Sequence, residues 1–239
     1  MSVAIKAQNV SKTYSPNTRA LENLDLEVVE GSSFAFLGPN GAGKTTFVKS
    51  ILGLVSIDKG HIELDYKDIK YESSRGNVAY LPEKFSFYPY YTAYGVLLFY
   101  AQMRGVSKER IETDCINALK KVGIEELKDK KLQGLSKGQL QRVGIATLLV
   151  GNNKILILDE PFSGIDPVGV KELRDVLISL KSEGKTLFIN SHILAEIEKI
   201  CDDMAIIDKG RCLVSGNLKK LIQGSSLEDY FYKTIKQSH

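Results

Sequence analysis

The sequence contains no tryptophan, only three cysteines and no long uninterrupted apolar run. Cys115, Cys201 and Cys212 form no CxxC pair, so free thiols in a reducing cytosol are expected. Its apolar runs are of the length of Val96–Tyr100, whereas a membrane-spanning helix needs about twenty apolar residues. The first residues also lack the basic flank and apolar stretch of a signal peptide. These absences predict a cytoplasmic protein, which can still lie peripherally on a membrane partner.

The sequence also lacks a strong excess of charge of either sign. Its 32 Lys and Arg residues against 29 Asp and Glu residues leave a net charge of +3. Nucleic-acid binding usually demands a strongly basic face, so no nucleic-acid partner is expected. Hydrophobic residues make up 43% of the chain and charged residues 26%, which is ordinary for a globular protein with a core. The length of 239 residues allows one large domain or two small ones.

The spacing of apolar residues predicts an α/β protein with a helical insertion. Apolar and polar residues alternate in 3–7 and 24–28, which predicts half-buried strands at an antiparallel edge. Continuous apolar runs at 34–37 and 155–158 predict buried strands, and the second is typical of a parallel sheet covered on both faces. From 92 to 150 the pattern is helical. Further predicted elements are helices at 44–54 and 192–201 and strands at 77–81, 186–190 and 204–208.

The segment GPNGAGKTT matches the phosphate-loop pattern GxxxxGK[ST], and it lies between a predicted strand and a predicted helix. Its glycines let backbone N–H groups curl around phosphate oxygens, and the helix N-terminus adds its dipole. Lys44 is expected to reach the β- and γ-phosphates, and the Thr45 hydroxyl is expected to bind Mg²⁺. A chance glycine-rich turn is the alternative, which the two flanking elements disfavour. The predicted nucleotide contacts in this loop are Gly38, Asn40, Gly41, Ala42, Gly43, Lys44, Thr45 and Thr46.

The segment ILILDEP places two carboxylates directly after a buried strand. Open α/β sheets bind ligands at the carboxyl ends of their strands, so Asp159 is expected to hold Mg²⁺, through water. Glu160 follows and could polarise an attacking water. Alone, such a pair is more typical of a solvated turn, but a phosphate loop in the same chain favours the functional interpretation.

The segment LSKGQLQRV (Leu135–Val143) distinguishes among kinases, GTPases and ATPases. Together with the two motifs above and their order, it resembles the signature of the ATP-binding subunits of ABC transporters, over roughly residues 3–222. The resemblance implies a P-loop NTPase core with a mostly parallel sheet, an N-terminal antiparallel β subdomain and an inserted α-helical subdomain. It implies a single domain over 1–239, in which 1–84 and 151–222 form the catalytic core, 85–150 the helical part and 223–239 a C-terminal helix or tail.

The resemblance also implies roles for residues outside the phosphate loop. Tyr14 matches the aromatic that stacks on adenine, although an edge-strand tyrosine is the alternative. Ser136, Gly138 and Gln139 match signature residues that contact the ATP of a second ATP-binding subunit, either a copy of this chain or a close paralogue. His192 matches a histidine that contacts the γ-phosphate, so Glu160, His192 and Lys44 are the expected catalytic residues. Asp166 matches a loop at the interface between subunits and is also a favourable N-cap before Pro167.

Position 83 is usually glutamine in this family, but this sequence has Glu83. A carboxylate there is expected to reach Mg²⁺, and the alternative is a solvated side chain after a strand. The combination of LPE, LSKGQ, SGIDP and SLEDYF is similar to the exporter-like branch, which handles drugs, lipids or polysaccharides. An exporter subunit on the cytoplasmic face of the cell membrane is therefore expected.

The stretch YLPEKFSFYPYYTAYG holds seven of the twenty Phe and Tyr residues in the chain. In the family, this region receives a short cytoplasmic helix of a transmembrane permease. Aromatic residues are favoured interface anchors, so docking near Phe85–Tyr94 is predicted. A local aromatic minicore beneath the helical insertion is the alternative.

Two other functional classes are less consistent with the sequence. Ribosome-acting relatives usually carry two such domains in one chain. DNA-acting relatives insert long coiled coils, and this sequence shows none of the sustained heptads that a coiled coil requires. A regulatory protein with a dead site is disfavoured because Lys44, Asp159, Glu160 and His192 are all present.

Overall fold

The structure is a computed structural model that describes residues 2–15 and 18–238. Residues 1 and 239, which the predicted domain boundaries include, lie outside the described residues. The strands of the described part are β1 (Val3–Ser15), β2 (Thr18–Val29), β3 (Ser33–Leu37), β4 (Lys59–Leu64), β5 (Lys67–Asp68), β6 (Val78–Leu81), β7 (Ile155–Asp159), β8 (Thr186–Asn190), β9 (Asp203–Asp208) and β10 (Arg211–Asn217). Its α-helices are α1 (Lys44–Ile51), α2 (Ala93–Met103), α3 (Lys108–Lys121), α4 (Lys137–Leu149), α5 (Pro167–Ser182), α6 (Leu194–Ile200), α7 (Leu218–Ile222) and α8 (Leu227–Gln237).

The strands form two sheets, and the larger one is mostly parallel. Its order is β10-β9-β3-β8-β7-β6, in which only β10 runs antiparallel to its neighbour. All residues of β3, β7 and β8 are buried, as the continuous apolar runs predicted. The smaller sheet is antiparallel, with the order β2-β1-β4-β5. The predicted fold class, an α/β core with an antiparallel β part and inserted helices, is therefore confirmed.

The central strand β3 is rigid because its two faces belong to two different cores. Phe34 and Phe36 face the core that is shared with the antiparallel sheet and α1, where Phe34 stacks on Phe188 with ring centroids 5.8 Å apart. Ala35 and Leu37 face the core formed by the helices. Side chains alternate across a strand, so a run of four apolar residues serves both layers. The phosphate loop starts from the end of this doubly packed strand.

Three helices, α2, α3 and α4, lie between β6 and β7 and account for the helical pattern of the insertion. In α3 the predicted apolar face packs inward, since Cys115, Ala118 and Leu119 are buried. The helix ends before Gly123, which has a φ of +66° and can adopt this left-handed conformation without a Cβ clash. None of the described helices is both long and apolar enough to cross a membrane.

Several predicted boundaries were wrong in informative ways. The segment 3–7 is not at a sheet edge, because β1 pairs with β2 on one side and with β4 on the other. Strand β4 was not predicted, since in KGHIEL only Ile62 and Leu64 are apolar and buried. The first helix ends at Ile51 instead of 54, and Gly53 follows with a φ of +71°. The helix predicted from 192 begins at Leu194, which leaves His192 in the loop.

The burial of the cysteines leads to a testable prediction about thiol reactivity. Burial raises the pKa of all three thiols, that of Cys115 to about 11, but only Cys115 and Cys201 are buried, whereas Cys212 is half-buried. The thiolate is the reacting species, so a raised pKa lowers the reactive fraction at pH 8. We expect iodoacetamide at pH 8 to spare Cys115 and Cys201 in the native protein and to alkylate all three after denaturation. Peptide mass spectrometry measures this, and rapid native labelling of Cys201 would contradict the packing.

Candidate functional site

The phosphate loop requires glycine at two positions, where the backbone of a neighbouring strand lies too close for a side chain. A Cβ on Gly43 would lie 2.3 Å from the Ala20 carbonyl oxygen, and one on Gly38 would lie 2.4 Å from the Ile207 carbonyl oxygen. Gly43 also has a φ of +107° where it precedes α1. Any side chain at either position would push the loop away from β2 or β9, so packing as well as backbone conformation requires these glycines.

The Lys44 ammonium lies inside the loop that precedes it. Its Nζ donates to the Gly38 carbonyl oxygen at 2.5 Å and to the Pro39 carbonyl oxygen at 3.0 Å. Burial lowers the pKa of Lys44, whereas the nearby carboxylates of Glu160 and Asp159 act in the opposite direction. The loop therefore holds a cation where its backbone curls, next to two acidic side chains.

Asp159 ends β7 opposite Asn190, the last residue of β8. The Asn190 Nδ2 donates to the Asp159 Oδ1 at 2.6 Å. Burial raises the pKa of Asp159, this hydrogen bond lowers it, and the neighbouring Glu160 and Glu83 carboxylates raise it further. Burial and the same Asp159 carboxylate raise the pKa of Tyr80 to about 12.

Glu160 has the left-handed backbone conformation, with a φ of +51°. Such strain in a non-glycine residue costs about 1–3 kcal/mol and clusters at functional sites. Its N–H donates to the Asn190 carbonyl oxygen at 2.7 Å. Its carboxylate accepts a hydrogen bond from the His192 N–H at 3.1 Å and lies 2.7 Å from the His192 Nδ1. The Glu160 side chain is 14% exposed and that of His192 is 70% exposed. A solvent-exposed imidazole therefore holds a largely buried carboxylate in place.

These residues surround one cavity with two lobes, which share Asn40, Lys44, Glu83 and Glu160. The first lobe, about 590 Å³, also contains Gly38 and His192. The second, about 340 Å³, contains the residues Tyr14, Thr18, Arg19, Ala20, Gly41, Ala42, Gly43, Thr45, Thr46, Asp159 and Asn190. The volumes are in the range of small-molecule sites. The structure therefore brings together the predicted phosphate-loop, acidic and histidine residues.

Tyr14 lies at the open end of the second lobe. Its side chain is 55% exposed, and its hydroxyl is 3.5 Å from the Thr46 Oγ1. The Lys12 ammonium lies 5.8 Å from the ring centroid. An exposed ring beside the phosphate loop is available for stacking, which is the role the resemblance implied.

The proposed metal residues Thr45, Glu83 and Asp159 all line the second lobe. Hydroxyl and carboxylate oxygens are the ligands that Mg²⁺ prefers. The described residues include no group of three or more His, Cys, Asp or Glu side chains that could hold a metal. The two carboxylates and one hydroxyl of the second lobe fit Mg²⁺, which is usually held by one or two carboxylates, several waters and substrate phosphates. The donor set therefore suits a hydrated magnesium ion more than a fully protein-bound metal.

Asn190 and Phe231 are two site residues that the sequence did not predict. In the described chain, the Asn190 Oδ1 is the one buried side-chain nitrogen or oxygen atom without a hydrogen-bond partner. An unsatisfied buried acceptor costs about 1–3 kcal/mol. The only signal for Asn190 was that a polar residue ends the apolar strand TLFIN, which lies beside the strand that ends in Asp159. Phe231 belongs to α8 and lines the first lobe; its segment SLEDYF carried a family resemblance but no sign of a position in the site.

The signature residues lie elsewhere. Ser136 is the N-cap of α4: its Oγ accepts from the Gln139 N–H at 3.2 Å, and the Gln139 Oε1 accepts from the Ser136 N–H at 3.0 Å. Asp166 is the N-cap of α5, as its sequence context predicted, and accepts from the Gly169 N–H at 3.2 Å. Neither these residues nor Gly138 line the two lobes around Lys44. One copy of the chain therefore does not bring its signature to its own phosphate loop.

The aromatic stretch divides into a packed part and an exposed part. Phe85 and Phe87 are half-buried against the helical core, with ring centroids 5.2 Å apart. A Cβ on Gly144 would lie 2.8 Å from the Phe85 ring, so this glycine makes room for the ring. The tyrosine cluster, Tyr88, Tyr90 and Tyr91, is 50–60% exposed, and the Tyr88 ring centroid lies 5.4 and 5.5 Å from those of the other two. The two phenylalanines therefore fit the minicore interpretation, and docking of a permease at the exposed tyrosines stays a prediction.

Comparison with known proteins places this arrangement in a family. A Synechocystis protein named as an uncharacterized ABC transporter ATP-binding protein is 38% identical over 91% of this chain, which spans 64% of that protein's length. The lantibiotic transport ATP-binding protein SrtF of Streptococcus pyogenes is 37% identical over 97% of both chains. The bacitracin transport ATP-binding protein BcrA of Bacillus licheniformis is 37% identical over 89% of this chain and 69% of its own.

A solved structure shows the same likeness in three dimensions. The structure of cbiO1 from Clostridium perfringens, described as part of the ABC transporter complex cbiONQ, matches with a TM-score of 0.86 at 30% identity, over 100% of this chain and 98% of that one. The family model described as ABC transporter matches residues 21–163, which span the phosphate loop, the signature and the acidic strand. This chain therefore belongs to the ABC transporter family, as one of its ATP-binding members.

Proposed function

We propose that this chain hydrolyses ATP with Mg²⁺ and thereby energises a membrane transporter that exports its cargo. One observation carries the proposal: Lys44 and Glu160 line both of the adjoining lobes at the carboxyl edge of the parallel sheet, with His192 in the first lobe and Asp159 in the second. ATP binding draws two ATP-binding subunits together, and hydrolysis allows them to separate.

Each of these residues has a chemical role in the proposal. Lys44 neutralises the terminal phosphates, since its ammonium lies within the loop that cradles them. Glu160 polarises the attacking water, and His192 keeps this carboxylate in place through its N–H and its ring nitrogen. Thr45, Glu83 and Asp159 hold Mg²⁺, which when bound neutralises charge on the phosphate oxygens. Tyr14 stacks on the adenine at the other end of the cavity.

The position of the signature supports a head-to-tail pair of subunits. The N-terminus of α4 carries about half a positive charge and so attracts phosphate. Ser136, Gly138 and Gln139 open this helix but lie outside their own chain's cavity. We propose that they contact the γ-phosphate of ATP bound to the second subunit, with Asp166 at the same interface. The second subunit is this chain or a close paralogue.

The relatives support a cargo class. SrtF and BcrA are named for lantibiotic and bacitracin transport. We propose that the cargo here is of this antibiotic kind, within the drug, lipid or polysaccharide range that the resemblance implied. The chain would then lie peripherally on the cytoplasmic face of the cell membrane, bound to a transmembrane permease.

The tyrosine cluster is the proposed permease contact. Its three rings are exposed, and they contact one another on a stretch that Phe85 and Phe87 hold against the core. A cavity of about 480 Å³ lies beside it, lined by Phe85, Phe87 and Pro89 on one side and by Leu132 and Leu140 on the other. Polar residues complete the lining of this cavity, namely Glu83, Lys84, Ser86, Gln133, Lys137, Gln141 and Ser163. A groove of mixed character next to exposed tyrosines suits an amphipathic helix of the partner.

The first prediction of this proposal concerns Glu160→Gln. We expect MgATP binding to persist while turnover falls by about 10²-fold or more, because charge-assisted positioning of the water is lost. ATP should then hold the chain as a dimer, which size-exclusion chromatography with and without MgATP detects. Glu126→Gln, at an exposed carboxylate away from the cavity, is the control and should behave as wild type. A Glu160→Gln protein with wild-type turnover that stays monomeric in MgATP would disprove the assignment.

The second prediction concerns Tyr88→Ala combined with Tyr91→Ala. Truncating an interface anchor costs about 2 kcal/mol or more, so capture of the permease from detergent-solubilised membranes should weaken about 30-fold or more. The melting temperature and basal ATPase activity of the isolated chain should stay near wild type, since both rings are exposed. The control pair is Tyr71→Ala with Tyr232→Ala, whose side chains are each 68% exposed elsewhere on the surface. A large loss of stability in the Tyr88 and Tyr91 variant would instead assign these rings to the minicore.

A further inference from the structure

Asn190 contacts both acidic residues of the proposed site. It is the β-sheet partner of Asp159 on the adjacent parallel strand, and its Nδ2 donates to the Asp159 Oδ1 at 2.6 Å. Its backbone carbonyl oxygen accepts the Glu160 N–H at 2.7 Å, at the residue with the left-handed backbone. The residue is 3% exposed and lines the second lobe of the cavity. One residue thus restrains the carboxylate of Asp159 and the backbone of Glu160.

The amide of Asn190 is oriented by its partner. A carboxylate can only accept, so the amide nitrogen must face Asp159 and the amide oxygen is turned away from it. That oxygen is buried and has no hydrogen-bond partner. Buried polar groups are nearly always satisfied by protein or by ordered water, so the unpaired oxygen gives this orientation a cost that the hydrogen bond to Asp159 offsets.

We propose that Asn190 is a positioning residue of the magnesium site, in which its Nδ2 fixes the Asp159 carboxylate and its backbone carbonyl oxygen holds the Glu160 N–H. This inference rests on the proposed function, and it assigns a residue to metal binding that the predicted metal set of Thr45, Glu83 and Asp159 did not include. Residues that orient metal-ligating groups by hydrogen bonding matter nearly as much as the ligands, and their mutation typically costs 10–100-fold in metal affinity.

A purely structural role for Asn190 makes a different prediction. Asn153 provides the comparison, since it is also a buried asparagine, at 4% exposure. Its Nδ2 donates to the carbonyl oxygens of Leu148 and Val150 at the end of α4. These hydrogen bonds stabilise a turn and involve no acidic residue. Replacing Asn153 should lower stability and leave the magnesium site unchanged. Replacing Asn190 should change the magnesium site beyond any effect on stability.

The experiment measures binding of a fluorescent, non-hydrolysable ATP analogue to the purified full chain, so it does not depend on turnover. Each protein is titrated with the analogue in EDTA, and then with MgCl₂ at a fixed analogue concentration. For Asn190→Leu, which keeps the size but removes both hydrogen-bonding groups, we expect unchanged affinity in EDTA. We expect its Mg²⁺ half-saturation concentration to rise by about 10–100-fold. Asn190→Ser, a smaller polar variant, should fall between wild type and Asn190→Leu, and Asn153→Leu should titrate as wild type.

The outcomes separate this inference from the proposed function. Wild-type Mg²⁺ curves for both Asn190 variants would overturn the inference and leave the proposed function standing. An equal loss of analogue affinity in EDTA and in Mg²⁺ would also overturn it, because it would show a general structural role. A wild-type chain whose binding ignores Mg²⁺ would overturn the proposed function and the inference together. Thermal melting of each nucleotide-free protein shows whether the variants fold.

Discussion

The parallel register of β3, β7 and β8 is the constraint on which the site depends. It brings the carboxyl ends of three strands to one edge of the sheet, where the phosphate loop, Asp159 and Asn190 follow. The strands are fixed by burial on both faces, with Phe34 and Phe36 in one core and Ala35 and Leu37 in the other. A slip of one residue would exchange the two faces and would also separate Asp159 from Asn190. Core packing and site geometry are therefore specified by the same alternation of side chains.

The Lys44 ammonium attracts the carboxylates of Asp159 and Glu160 at this edge, while the two carboxylates repel each other. Lys44, Asp159 and Glu160 lie close enough that each influences the pKa of a neighbour. The strained backbone of Glu160 is held by a hydrogen bond from its own N–H to Asn190, and its carboxylate is held by His192. Such an arrangement persists only where the surroundings over-determine it. The two loops that follow β7 and β8 are therefore interdependent.

The sequence predicted the local parts of this site and missed the parts formed between distant segments. Three features are formed by consecutive residues: the phosphate loop, the acidic end of β7 and the Asp166 N-cap. The first two also depend on the regular strand and helix that flank them. Asn190 matters because β8 pairs with β7, and Phe231 because α8 packs beside the cavity. Neither fact can be read from a short window of sequence. The same limit explains why β1, an apparent edge strand, lies between two partners.

The aromatic stretch shows why composition alone could not decide between docking and packing. Phenylalanine and tyrosine have similar rings, but only tyrosine has a hydroxyl that favours a partly wet surface. Phe85 and Phe87 occupy half-buried positions, and the tyrosines that follow are exposed. Glu83, two residues before Phe85, lines both lobes of the nucleotide cavity and also the cavity beside the aromatic stretch. A shift of this short segment would therefore change both the proposed metal-binding edge and the proposed permease contact. Since Phe85 and Phe87 pack on the helical core that also holds α4, the same segment joins the phosphate site to the signature helix within one chain.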